Sequence, residues 1–431
     1  MVVALLAASI TAAAIWGSTL YYRLIYLWVV LLLTSWIWAY FSLRGINVQR
    51  QARTARQPVG QIFEERFEIE NTSRFPRLWV VVRDLSPLPG SAGSRVQTLI
   101  GSRQRRSYVS YSWLTRRGLY KLGPTEISSG DLFGLFRSAR QVDENETLLV
   151  TPYLVELQDF PSPPGLLPGG RTLHHRTLEV TPYAASVRDY FPGDPLNRIH
   201  WPTTARRDQL MVKEFEQDPQ ADVWIFLDAY RGVQAVLPEA YTVIKPDQVL
   251  LWRNKPEDIR LPPATIEYGI SAAASVAHYF IYKGHAVGLA AAGKSYTTVL
   301  PAERGERQLG KILETLAFMD GEGTLPLAGL TSVQASYLPR GSTVVLITPA
   351  SGEDLLLAVE DLEKRSMHPV AVLINALSFQ GLKGTDRLAA ELAVRKIPVL
   401  ILSSHDDLKA ALQLPSGGAA QVAWWMQSED V

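Results

Sequence analysis

Residues 1–43 carry a single charged side chain, Arg23. No other feature narrows the choice of fold as much, because a chain this apolar at one end must hide it in lipid or in a core. The stretch after Arg23, LIYLWVVLLLTSWIWAYFSL over residues 24–43, is uncharged. Crossing roughly 30 Å of hydrocarbon takes about 20 apolar residues, which this stretch supplies. Residues 1–22 are Ala-rich and also uncharged, so the spacing predicts a two-helix transmembrane hairpin over 1–44. Trp28, Trp36, Trp38 and Tyr40 fit an interfacial aromatic pattern. A cleaved leader is disfavoured, since no Lys or Arg precedes the apolar run, which continues past Ala12-Ala13-Ala14. Arg44, Arg50, Arg53 and Arg56 follow the second stretch, so the positive-inside tendency places residue 44 onward in the cytoplasm. The expected location is a cell (inner) membrane, multi-pass, with cytoplasmic soluble domains.

The rest of the 431 residues is long enough for two or three domains. With 43 basic and 42 acidic residues, the chain lacks the basic excess of a dedicated nucleic-acid binder. The absence of Cys excludes disulfides and thiolate metal sites.

A basic linker is expected over 45–60, and then the apolar period becomes two. Phe67 and Ile69 alternate with Glu68 and Glu70; Val109, Tyr111 and Trp113 alternate with serines. The pattern predicts strands with one buried face, and residues 61–152 are read as an antiparallel β-sandwich-like domain. Arg103, Arg105, Arg106, Arg116 and Arg117 are candidates for contact with anionic headgroups or, equally, solvated loop residues.

Residues 153–220 form a connector that begins with the Pro-rich DFPSPPGLLPGG (159–170) and ends in a charged motif, VRDYFPGDPLNRIHWPTTARRDQLMVKEFEQD (187–218). Pro192 and Gly193 predict a tight turn, and Asp194 before Pro195 reads as a cap and first position of one helical turn over 195–200, ending before Pro202. Tyr190 and Trp201 are expected to hold that turn by apolar contact.

This motif resembles that of a bacterial family catalogued as domain of unknown function 58. The resemblance rests on Arg188, Tyr190, Pro192, Gly193, Asp194, Arg198, Ile199, Trp201, Ala205 and Arg206, with Asp189, His200 and Thr204 as mild departures. The upstream segment TRRGLYKLGPTEISSGDLFGLF (115–136) is similar too. Two readings of the motif stand side by side: an ion-pair knot docking the connector, or a surface read by a partner protein.

From residue 221 strands and helices alternate to about residue 414, followed by a tail (415–431). Such alternation predicts a parallel sheet covered on both faces, an α/β Rossmann-like domain. The resemblance implies that this domain is von Willebrand factor A-like, a fold that often holds Mg²⁺ through Asp-x-Ser-x-Ser after its first strand. Here Asp228 is followed by Ala229, Tyr230, Arg231 and Gly232, and the later strand ends in Thr348-Pro349. Both Ser positions are lost, so a degenerate site at Asp228 and Thr348 is expected, with no metal and no cofactor, beneath a Pro-rich insertion (231–263). Gly288 to Ser295 satisfies G-x-x-x-x-G-K-[ST], but the β-branched YTTVLP that follows predicts a hairpin turning at 292–294 instead of a helix opening on a phosphate. His174-His175, Asp194 and His200 lack metal-ligand spacing.

The expectation is thus a multidomain, membrane-anchored and non-catalytic scaffold whose degenerate A-type domain binds protein partners. The resemblance implies association with a MoxR-type AAA+ ATPase in assembling or activating envelope complexes. The alternative is a hydrolase using acidic residues around Asp194 and His200.

Overall fold

The computed structural model describes residues 1–89, 95–143, 146–161, 184–191, 199–215, 222–238, 261–294 and 296–413. The expected tight turn at Pro192–Gly193, the helical turn's residues 195–198, Asp194, Arg198, His174, His175, the tail and most of the Pro-rich stretches at 159–170 and 231–263 lie outside the described residues. The chain divides into two compact units, a first built mainly on Met1–Tyr153 and a second built mainly on residues 154–413.

The first unit opens with two helices, α1 (Val2–Trp16) and α2 (Thr19–Phe41). Gly17, at φ +60°, ends α1, and the Ser18 hydroxyl accepts from Leu20 N to cap α2. The turn therefore falls at 17–18, and Arg23 lies inside α2 instead of between the two helices. At 23 residues, about 34 Å, α2 is long and apolar enough to cross a membrane. At 15 residues, about 22 Å, α1 falls short of that thickness. The buried residues of α1 are Ser9 and Ala13, small side chains one turn apart that let α2 approach closely.

Ten strands follow among the described residues: β1 (Ile46–Ala52), β2 (Arg56–Pro58), β3 (Ile62–Asn71), β4 (Arg77–Asp84), β5 (Arg95–Ile100), β6 (Arg105–Trp113), β7 (Gly118–Lys121), β8 (Thr125–Gly130), β9 (Arg137–Val142) and β10 (Thr147–Thr151). The stretch expected as a basic linker is therefore β1 and β2. Its alternation of buried Ile46, Val48 and Arg50 with exposed Asn47, Gln49 and Gln51 was masked by the basic residues. Sheets β1-β3-β6 and β5-β4-β8-β9 close over Ile46, Val48, Phe67, Ile69, Val80, Val82, Ile100 and Ile127. A third sheet, β2-β10-β7, includes one parallel pairing, β2 with β10. In β6 the expected register is inverted. Ser110 and Ser112 are buried, while Val109, Tyr111 and Trp113 are half-buried. The pairing explains it: these serines stand opposite Glu65 and Phe63, and their small size leaves room for the buried Arg50–Glu65 pair on that face.

The second unit begins with β11 (Ala184–Asp189), α3 (Trp201–Arg207) and β12 (Met211–Phe215), β11 and β12 forming an antiparallel pair. The main sheet then takes β13 (Val223–Leu227), β14 (Val287–Ala292), β15 (Thr297–Glu303), β16 (Thr343–Thr348), β17 (His368–Ile374) and β18 (Val399–Leu402) in the order β15-β14-β13-β16-β17-β18. All pairings are parallel except β14 with β15. The helices are α4 (Thr265–Tyr282), α5 (Glu306–Phe318), α6 (Leu327–Gln334), α7 (Asp354–Lys364), α8 (Thr385–Val394) and α9 (Leu408–Leu412). α6, α7 and α8 pack on one face with Trp224, Phe226, Ala290, Leu346 and Leu373. α4 lies on the other, where Gly269 meets Leu227, Ile347 and Ile374. Apolar strands buried on both faces produce the continuous Val/Ile/Leu runs seen in the sequence.

The β14–β15 hairpin forms as the sequence predicts, but Ala292 is still paired, opposite Thr297, so the turn falls after it instead of at 292–294. Gly288 lies against the Trp224 ring, which a side chain there would strike. Lys294 forms a hydrogen-bonded ion pair with Glu322. Gly288 and Lys294 of the phosphate-loop pattern thus have structural roles.

Candidate functional site

Two regions of the second unit hold the residues singled out by the sequence. The first is the charged motif. Arg188 lies on β11 opposite Val212, and Tyr190 N donates to Leu210 O at 2.9 Å. Ile199 is buried and bridged to Val212. No helical turn covers Ile199 and His200; instead His200 precedes α3, its N–H donating to Met211 O at 2.8 Å and its Nδ1 lying 2.7 Å from Thr203 Oγ1. Pro202 is in the first turn of α3, where its missing N–H costs nothing, so it starts the helix that it was expected to exclude. Arg206 and Arg207 occupy the last turn, favourable against the helix dipole, and Asp208 ends the helix at φ +56°. The Thr204 hydroxyl accepts from Met211 N at 3.1 Å, tying α3 to β12.

The motif therefore has two sides. Ile199, Met211 and Val212 are buried, whereas α3 buries none of its residues. Trp201, expected to hold the turn by apolar contact, is 64% exposed. The indole is thus open to solvent at the first position of α3, and Arg206 and Arg207 stand in the last turn of the same short helix.

The second region is the C-terminal edge of the sheet. From β13 the chain moves outward to β14 and β15, then returns to the other side of β13 at β16. The edge between β13 and β16 is thus a topological switch point, the place where open α/β sheets form a crevice. Asp228 and Thr348 stand at this edge and touch. Thr348 Oγ1 donates to Asp228 Oδ2 at 2.6 Å, and Tyr230 N donates to Oδ1 at 3.0 Å. Asp228 is the only charged residue buried in this unit among the described residues, at 3% exposure. Burial pushes its carboxyl up to about 6, against the opposing pull of the hydrogen bonds from Thr348 and Tyr230.

The loop after Asp228 is fastened down. Gln234 Nε2 donates to Asp228 O at 2.8 Å, Thr265 Oγ1 lies 2.7 Å from Gln234 Oε1, and Ala235 N donates to Thr265 Oγ1 at 2.9 Å. Gly323 bridges Tyr230, with Arg231 N donating to Gly323 O at 3.0 Å. Sequence pattern did not disclose this clamp, because Gln234, inside the insertion, and Thr265, just after it, are 31 residues apart. Among the described residues no group of three or more His, Asp or Glu side chains is placed to hold a metal ion.

Comparison with known proteins bears on the first region. Residues 186–234 match the profile of a family described as "Protein of unknown function DUF58". An uncharacterized protein of Bacillus subtilis (strain 168), YeaD, is 23% identical over 372 residues, covering 84% of each chain. Likenesses to solved structures are faint. A CARDB domain from Pyrococcus furiosus, 14% identical, covers 24% of this chain and 91% of its own at a TM-score of 0.17. The C-terminal domain of wzt, 13% identical, covers 26% and 75% at 0.20. At such scores neither bears on the fold.

Proposed function

The chain belongs to the DUF58 family through its residues 186–234, and from that premise we propose that it is a membrane-anchored, non-catalytic scaffold presenting this segment to a protein partner. The observation that carries the reading is the outward face of α3. An exposed Trp on a helix that buries nothing and also carries two Arg in its last turn has no role in the core, while Trp and Arg are among the residues most enriched where binding energy concentrates. The partner class is the one the resemblance implies, a MoxR-type AAA+ ATPase. The anchor is the α1–α2 hairpin, inserted so that residue 44 onward faces the cytoplasm of a cell membrane.

The second unit, in this reading, is a von Willebrand factor A-like domain. Its strand order and the position of Asp228 at the end of the first sheet strand support that. The residues present do not fit the Mg²⁺ such domains often hold. Tyr230 and Gly232 stand at the two Ser positions, Arg231 adds a positive charge, and both Asp228 oxygens already accept hydrogen bonds. No step is routed through a metal here. For the hydrolase alternative, His200 Nδ1 lies 2.7 Å from Thr203 Oγ1, and Asp194 is outside the described residues.

A photo-crosslinking residue at Trp201, in the full chain in native membranes, tests the proposal. The expected result is an adduct with a MoxR-type ATPase that is absent when the same residue replaces exposed Tyr337. Equal labelling at the two positions, or none at Trp201, would sink it.

A further inference from the structure

The β8–β9 connection, Asp131-Leu132-Phe133-Gly134-Leu135-Phe136, is built to hold apolar side chains out of the protein. Asp131 is buried, its Oδ2 accepting from Phe133 N at 2.9 Å and its Oδ1 from Phe136 N at 2.6 Å. Trp79 Nε1 donates to Asp131 O at 3.2 Å, and Gly134 makes the turn at φ +68°. On this fixed loop Leu132 is 61% exposed and Phe133 64% exposed. Adjacent exposed apolar side chains on a clamped loop mark a surface that something apolar covers.

The register shows what lies beside them. Ser138 Oγ donates to Ala39 O at 2.7 Å, and Arg140 Nη2 donates to Ile46 O at 2.8 Å. Following β9 backwards from Arg140 to Ser138 thus means moving from Ile46, at the start of β1, to Ala39 in the last turn of α2. The loop at 131–136 continues that path. Ser35 and Ala39 are the buried residues of α2, and this helix touches β8 and β9. Around this level α2 exposes Trp36, Trp38, Tyr40 and Phe41, the kind of aromatic belt that marks a membrane–water boundary. Arg44 follows, its guanidinium 4.5 Å from the Phe41 ring centroid and 4.8 Å from that of Tyr40. A second loop lies at the same end: Thr72 N donates to Gly45 O at 2.8 Å, and Phe75 in that loop is 70% exposed beside exposed Arg74.

We propose that the Leu132–Phe133 loop is a second lipid anchor, seated in the headgroup and upper acyl region of the leaflet that α2 leaves. Amphipathic surfaces of this kind bury their apolar side about 5–10 Å into that boundary. The loop fixes the β unit against the membrane, so that the unit cannot pivot on the short 42–45 turn alone. The inference rests on the reading of α2 as a membrane-crossing helix.

Because the chain contains no Cys, single-cysteine labels report one place each. Leu33→Cys on α2, Phe133→Cys and Leu132→Cys on the loop, and Leu119→Cys on β7 at the opposite end would each carry a fluorophore, in the full chain in phosphatidylcholine–phosphatidylglycerol nanodiscs. Lipid-borne quenchers at shallow and deep positions and aqueous iodide then read depth. The expected result is deep quenching at Leu33, shallow lipid quenching at Leu132 and Phe133, and iodide quenching several-fold weaker at those two than at Leu119. Leu132 and Phe133 as open to iodide as Leu119, with Leu33 still in lipid, would overturn the second anchor and leave the crossing helix standing. Leu33 beyond reach of either lipid quencher would remove the crossing helix, and the anchor with it.

Discussion

The two units each bury carboxylates, and Glu65 and Asp84 of the first are satisfied in a different way from Asp228 of the second. In the β unit, Arg50 is enclosed with Glu65 and Asp84. Its Nε donates to Glu65 Oε1 at 2.7 Å and its Nη1 to Asp84 Oδ1 at 3.0 Å, while Ser86 Oγ donates to the same Asp84 oxygen at 2.6 Å. The guanidinium also lies 5.2 Å from the centroid of the Phe67 ring. In the α/β unit, Asp228 has hydroxyl and amide donors and no salt bridge among the described residues, and burial raises its pKa to about 6. A buried charge must be paired or given up, and this chain contains both solutions. The first is a fastening that holds three strands together. The second leaves an acid near its titration point at the mouth of a sheet.

Removing the cation should have the largest effect. Arg50→Met strands two buried carboxylates, and breaking such a cluster costs about 3–5 kcal/mol. Pulse proteolysis of the detergent-solubilised chain should show the β unit opening at much lower denaturant. Adding Glu65→Gln and Asp84→Asn to Arg50→Met should recover a large part of the loss, because the uncompensated charges are then gone. If the triple variant is no more stable than Arg50→Met, the penalty arises from packing and the contrast with Asp228 weakens.

Asp228→Asn should act in the opposite direction. The folded carboxyl titrates near 6 and the unfolded one near the ordinary 3.8, so between those values the native state holds more protons. Stability therefore falls as pH rises through that window and is lowest above it. Above pH 6 Asp228→Asn should gain about 1–3 kcal/mol, and below about pH 4 the gain should vanish. Denaturation of the second unit followed from pH 4 to 8 checks this. A gain independent of pH would mean that charge is not the cause.

Thr348→Val sharpens the same point at smaller scale. It removes the O–H donated to Asp228 and the acceptor for Ala350 N, which lies 2.9 Å away. Leaving such groups unmet costs about 1–3 kcal/mol. The cost should shrink when Asp228→Asn is already present, since contacting residues do not add independently. A double-mutant cycle giving simple additivity would show the two residues to be uncoupled.

What the sequence made legible follows from the same contrast. Features set by local periodicity were readable: the apolar α2, the alternating Phe67 and Ile69, the run Val-Trp-Ile-Phe-Leu at 223–227 and the hairpin after Gly288. Features set by partners far along the chain were not. Arg50 looked like part of a basic linker because its carboxylates lie 15 and 34 residues away. Ser110 and Ser112 looked exposed because alternation gives the two faces without saying which is inside. For β6 that choice depends on Glu65 across the ladder. In the candidate site Asp228 and Thr348 were recognised as a pair, though not the Gln234–Thr265 clamp behind them. Pro202 was taken as a stop when it is a first-turn proline; the basic Arg206-Arg207 four residues later was the available clue to a helix starting there.

Trp201→Ala carries the smallest expected change in stability and the largest expected change in association. An exposed side chain on a helix that buries nothing contributes within about 0.5 kcal/mol to folding. Denaturation of Trp201→Ala should therefore overlay the parent curve, unlike Arg50→Met or Thr348→Val. Its effect belongs in binding, where truncating a central Trp commonly costs 2 kcal/mol or more, roughly a thirtyfold loss. Co-purification with the MoxR-type ATPase should fall accordingly, and Trp201→Phe should restore part of it by returning apolar area. The opposite pattern, a clear loss of folding stability with association intact, would move Trp201 to the structural side of its motif beside Ile199 and Val212. The ion-pair knot would then account for the segment better than a partner surface does.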